Sequence, residues 1–168
     1  MAVSVEVLST HPPIAVRGQI YVAGPIIPIG ITGGAAYANL DAMGTRATPV
    51  LIPRAGTIQS ARLFDPSDQG QPVTLWLLTE PIATQTDNGA LTLSDDELDT
   101  DIYNIYFSGF DDAANGQVAF ATSIGYSYRL GSGPATDLIT VYAFMQARGT
   151  PTITLPALPT VTIGILVE

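Results

Sequence analysis

The sequence predicts an all-β protein, a jelly-roll-like antiparallel β-sandwich preceded by an extended N-terminal arm. Its apolar residues alternate with polar ones at period two rather than 3.6. β-branched and aromatic residues fill the alternating runs, and the 16 glycines and 13 prolines fall mainly between them. A chain of 168 residues is long enough for one self-sufficient core. We therefore divide it into an arm, residues 1–32, and a sandwich domain, residues 33–168.

Seven runs carry the strand pattern, and the turn signals between them recur at intervals typical of a sandwich. The runs are residues 3–7, 58–64, 73–78, 102–107, 117–121, 138–146 and 161–167. Asn115 and Gly116 favour a tight turn, which predicts a hairpin between residues 102–110 and 117–121. Connections of mixed length favour a jelly roll over a meander, because sandwich strands need Greek-key returns.

The arm is apolar and rich in proline, as "GPIIPIGITGG" at residues 24–34 illustrates. A segment with so many prolines cannot pair on both of its edges within a sheet. It carries four isoleucines whose exposure to water costs about 25 cal/mol per Å². These are Ile26, Ile27, Ile29 and Ile31. We expect them to be buried, either against this domain or against a neighbouring subunit.

The composition and the start of the chain argue against a nucleic acid partner, a targeting or membrane segment, and disulfide bonds. Only 12% of the residues are charged, about half of the ~25% that is usual in soluble domains. The net charge is −9 with no lysine, so a nucleic acid partner is not expected, since phosphate binding requires clustered cations. The start of the chain lacks a basic region, and proline and glycine interrupt residues 18–40, so we expect neither a signal peptide nor a membrane anchor. The absence of cysteine excludes disulfides and thiolate sites.

The stretch "TDNGALTLSDDELDTD" at residues 86–101 is dense in acidic residues and has no base. Ser94 followed three residues later by Glu97 predicts a capping box at the start of a short helix. Asp95 and Asp96 then lie at the positive end of the helix dipole. The stretch does not fit the ligand spacing of an EF-hand. An irregular calcium site that includes Asp99 and Asp101, or Asp111 and Asp112, stays open as an alternative.

Catalysis is not expected, and we predict no catalytic residue, cofactor or metal site. The carboxylates crowd one loop, whereas glycoside hydrolysis needs two that face each other across a cleft. The sole histidine, His11, lies in the arm before two prolines, a poor place to orient a general base. A sugar-binding platform of aromatic side chains is an alternative to their burial in the core or at an interface. Its members would be Trp76, Tyr103, Tyr106, Tyr126 and Tyr128.

Several segments, in this order, resemble a family of small structural proteins of tailed-phage virions that are encoded near the major capsid protein. The resemblance covers residues 33–168, and the first thirty residues depart from the pattern. Its segments are "GGAAYANLDAMG" (33–44), "GTIQSARLFD" (56–65), "VTLWLLTEPIATQTDNGALTLSDDEL" (73–98), and the end of the chain with "RGTPT" (148–152) and "TIGIL" (162–166).

The resemblance implies an auxiliary capsid protein, also called a decoration or cement protein, on the outside of the phage head. It implies the major capsid protein as partner, and self-association as a homotrimer would suit the symmetry of a shell. The resemblance therefore also implies that the protein is made in the host cytoplasm and resides on the capsid exterior. In this setting the four isoleucines of the arm become candidate contacts with the capsid or a neighbouring subunit. Another virion position, such as a head fibre base or a tail component, and a lectin-like module stay open as alternatives.

Overall fold

The computed structural model describes residues 16–113 and 116–168, which form nine strands and one short helix. The elements are β1 (Ile20–Ile26), β2 (Ala42–Pro53), β3 (Ala55–Asp65), β4 (Val73–Leu78), α1 (Asp95–Leu98), β5 (Asp101–Phe107), β6 (Asp111–Ala113), β7 (Gly116–Arg129), β8 (Leu138–Ala147) and β9 (Thr160–Val167). The predicted all-β class is confirmed. The helix in these ranges has four residues, too few to cross a bilayer.

Two antiparallel sheets pack together, one with the strand order β1-β9-β3-β7-β6 and one with the order β2-β8-β4-β5. The hairpin of β4 and β5 is the innermost pair. Around it are nested β3 with β7, β2 with β8, and β1 with β9, and successive pairs alternate between the two sheets. This nesting is the connectivity of a jelly roll, and β6 adds a short edge strand beside β7.

Six of the seven predicted runs lie within strands β3, β4, β5, β7, β8 and β9. The seventh, residues 3–7, lies outside the described ranges. The predicted hairpin is wrong in its first strand, because residues 101–107 form β5 in the other sheet and β6 pairs with β7 instead. Strands β1 and β2 were not predicted. Both are edge strands in which proline is tolerated, since an edge residue needs no second partner for its backbone.

The main core lies between the two sheets and is built from alternating inward-facing residues. β9 shows the pattern most clearly, because Val161, Ile163, Ile165 and Val167 are all buried while the residues between them are partly exposed. Leu75 and Leu77 of β4 and Phe107 of β5 face them from the opposite sheet. Burial of this continuous apolar layer is the main force that holds the sheets together.

A second apolar cluster covers the outer side of the four-stranded sheet. Leu78 of β4 and Phe144 of β8 point away from the main core, yet they are 0% and 2% exposed. The connection between β4 and β5, residues 79–100, folds over them and contributes Ile82, Leu91 and Leu93. The four-stranded sheet is therefore covered on both faces, and the acidic stretch belongs to its covering layer.

Candidate docking face and the acidic layer

The four isoleucines predicted as contact residues lie in different environments. Ile26 ends β1 and is 1% exposed within the main core of its own chain. Ile29 and Ile31 are partly buried, and Ile31 packs against that core. Ile27 is 37% exposed and is the most accessible of the four. The described part of the predicted arm, residues 16–32, thus contributes β1 to the sheet and packs on its own domain.

Residues 27–31 run along the free edge of β2 and are bonded to it through their backbone. The Ile27 carbonyl accepts a 2.6 Å hydrogen bond from Thr48 Oγ1, and the Ile29 carbonyl accepts one of 2.7 Å from the Thr45 amide. Gly44 permits this approach, since a Cβ atom there would lie 2.5 Å from the Ile29 carbonyl oxygen. The segment therefore shields part of an edge that would otherwise expose unpaired backbone groups.

The capping box predicted at Ser94 and Glu97 is present. The Glu97 amide donates to Ser94 Oγ at 3.3 Å, and Glu97 Oε2 accepts from the Ser94 amide at 2.8 Å. Glu97 Oε1 also accepts from the Ala83 amide, which ties the helix to the start of the connection. The hydrogen bonds from the Ala83 and Ser94 amides hold the pKa of Glu97 below its usual value.

We call the connection over residues 79–100 the acidic layer, and Asp87 is its most heavily bonded carboxylate. Its Oδ2 accepts from the amide and the hydroxyl of Thr32, both at 2.7 Å. Its Oδ1 accepts from the Tyr37 hydroxyl at 2.6 Å and from the Gly44 amide at 2.8 Å. Burial alone raises the pKa of Asp87, but the hydrogen bonds from Tyr37, Thr32 and Gly44 outweigh burial and lower it.

The rest of the acidic layer offers little for a ligand. An open groove of about 670 Å³ runs along residues 83–97, but its polar groups already bond one another. The Gln85 amide nitrogen, for example, donates to the carbonyls of Ala83 and Thr92 at 3.0 and 3.1 Å. Within residues 16–113 and 116–168, no three acidic or histidine side chains group closely enough to hold a metal ion. His11 lies outside these ranges.

The aromatic residues proposed as a sugar platform do not share one surface. Trp76 packs in the second cluster, and its indole nitrogen donates to Gln146 Oε1 at 3.2 Å. The Tyr103 and Tyr126 rings stack at 4.4 Å between β5 and β7, where the two sheets meet. Tyr128 is buried and donates to the Pro53 carbonyl at 2.9 Å, while Tyr106 is 53% exposed.

No described segment covers the outer side of the five-stranded sheet, in contrast to the covered four-stranded sheet. We call this surface the outer face and define it by the outward residues of β1, β9, β3 and β7. Its apolar members include Ile20, Val22 and Phe120, which are 55%, 62% and 55% exposed. Its other outward members are mostly Thr and Ser, and the sole carboxylate within these four strands, Asp65, is buried. Exposed apolar surface of this kind is typical of an interaction site.

Comparisons of the chain with protein-family models, with curated proteins and with solved structures found no match. The fold class therefore follows from the strand order alone. The described residues form a jelly-roll sandwich with two unlike sides, one covered by an acidic connection and one that they leave uncovered and poor in charge.

Proposed function

We propose that this protein is an auxiliary capsid protein of a tailed phage, a decoration or cement subunit that binds the outside of the icosahedral head and stabilises it. The proposal starts from the sequence segments that resemble small virion proteins. It describes a structural protein without enzymatic activity or cofactor, made in the host cytoplasm and resident on the capsid exterior.

The observation that carries the proposal is the outer face, which the described part of the chain leaves uncovered. A sheet that exposes Ile20, Val22 and Phe120 on strands that carry no exposed carboxylate of their own is suited to lie against another protein. The opposite side, with its acidic connection over residues 79–100, is suited to face solvent. A subunit that coats a particle needs this combination of one docking side and one hydrated side.

Attachment to a symmetric shell would allow several weak contacts to add up to stable binding. A homotrimer on the shell would repeat the same contacts about a symmetry axis. Three linked contacts bind far more tightly than one, because the second and third form at a high effective concentration. A ligand that binds only the assembled shell of major capsid protein also raises the free energy needed to take the shell apart.

Co-sedimentation with purified heads that lack the protein tests the proposal. We expect the full chain to pellet with the heads at a fixed ratio to the major capsid protein, and decorated heads to retain DNA at higher temperature than bare heads. Failure to pellet at micromolar concentration would refute attachment to the head. Pelleting with tails alone would favour another virion position.

A further inference from the structure

The outer face carries one charged side chain on its middle strand. Arg62 lies on β3, which has β9 and β1 on one side and β7 and β6 on the other. It is exposed, and its guanidinium carbon lies 5.7 Å from the centroid of the Phe64 ring. Its neighbours across the strands are Phe120 on β7 and Thr162 on β9.

Within residues 16–113 and 116–168, Arg62 has no acidic partner. Among the described residues, no carboxylate lies within 4.0 Å of its guanidinium group. The acid in these four strands, Asp65, is already occupied by the amides of Ser67, Gln69 and Gly70. The guanidinium therefore lies beside the Phe64 ring, and its hydrogen-bond donors can bind another molecule.

We infer that Arg62 is the anchor of the outer face, and that its partner is a protein surface presenting a carboxylate surrounded by apolar side chains. Arginine suits this role, because its guanidinium is weakly hydrated, stacks on aromatic rings and binds a carboxylate through two parallel hydrogen bonds. Arginine is also enriched among the few residues that dominate binding energies at interfaces. The inference rests on the proposed function, which places that surface on the phage head.

A second copy of this chain does not fit the outer face when two such faces pack together. A dimer of this kind has a two-fold axis, so residues near the axis meet their own copies. Because Arg62 lies on the middle strand, two guanidinium groups would be brought together and removed from water. Burying like charges without a carboxylate between them is strongly unfavourable.

The size of the outer face agrees with a small interface that each of several subunits would form on one particle. Four strands at a spacing of about 4.8 Å, each about eight residues long, give a flat area of about 500 Å². Docking would bury about 1,000 Å² in total, near the lower limit for a specific interface. Contacts of this size become firm when several act together on one particle.

The test compares binding of four full-length proteins to purified heads that lack the protein. They are the wild type, Arg62→Glu, Arg62→Lys and the control Arg148→Glu, which reverses an exposed charge beyond the end of β8. Circular dichroism confirms that each is folded. We expect Arg62→Glu to weaken binding by at least about tenfold. Arg62→Lys should weaken it less, and Arg148→Glu should bind like the wild type.

The outcomes separate the inference from the proposed function. If the wild type binds heads and Arg62→Glu binds equally well, the role of Arg62 as the anchor is refuted, whereas the proposal that the chain is a head protein stands. If the wild type does not bind, both proposals fail. Sedimentation velocity without heads gives a further check, because an oligomer that Arg62→Glu dissociates would identify a second copy as the partner and overturn the inference.

Discussion

The carboxylate of Asp87 accepts a 2.6 Å hydrogen bond from the hydroxyl of Tyr37, a residue 50 positions away that is 2% exposed. The same carboxylate accepts from Thr32 and Gly44. One side chain of the acidic layer thus holds both the segment that shields β2 and the start of β2 itself. Burial and the bond to Asp87 raise the pKa of Tyr37, so the phenol remains a donor at every physiological pH.

Replacing Asp87 with Asn should lower the free energy of unfolding by about 2 kcal/mol, the scale of a hydrogen bond to a charged group. The amide offers one acceptor oxygen where four donors converge, and its NH₂ group would face donors. Urea unfolding at pH 7 measures the change. Asp96→Asn is the matched control, since Asp96 is exposed in α1 and should change stability little. Equal stability of the two variants would contradict the role of Asp87.

The contribution of Asp87 should depend on pH. The pKa of Asp87 is lower in the folded protein than its ordinary value of 3.8, so the stabilisation is fully present above that value. It is lost as the pH falls through the folded pKa, because the carboxylate must then be protonated. The difference in unfolding free energy between wild type and Asp87→Asn should therefore shrink below about pH 4. Urea unfolding of both proteins from pH 7 to pH 3 gives the comparison, and a constant difference would argue against it.

Replacing Ser94 with Ala should loosen the acidic layer rather than the sandwich. The capping hydroxyl accepts from the Glu97 amide, and loss of such a cap costs about 1 kcal/mol. The effect should be local, because α1 contains no buried residue. Hydrogen exchange should become faster at the amides of Ala83 and Glu97 and remain unchanged in β9. Ser108→Ala, at an exposed position after β5, is the control.

Strands β3, β4, β5, β7, β8 and β9 were readable from the sequence as alternating or continuous apolar runs. The run over residues 73–78 matches β4 residue for residue, since its valine, threonine and tryptophan are residues that pleated, half-buried strands favour. β2 was missed because Pro49 and Pro53 argue against a central strand, and only the strand order reveals that β2 is an edge.

The candidate site was less readable than the fold. The capping box spans three residues, so its geometry follows from local sequence. The contacts of Asp87 join residues 43 to 55 positions apart, which no local pattern encodes. The outer face could not be predicted from the sequence either. Period-two alternation shows that each strand has two faces, but it does not show which sheet face residues 79–100 will cover.

Among the isoleucines of the predicted arm, replacing Ile26 should lower the stability of the fold, whereas replacing Ile27 should change mainly the surface. Ile26→Ala empties a site in the main core and should cost about 3 kcal/mol, within the usual range for large-to-small core changes. Ile27→Ala should cost less than about 1 kcal/mol, because the side chain is 37% exposed and the bond from Thr48 goes to the backbone. Thermal unfolding measures both changes. If Ile27 contacts the head or a neighbouring subunit, Ile27→Ala will bind heads more weakly while remaining folded, whereas unchanged binding would remove it from the contact surface.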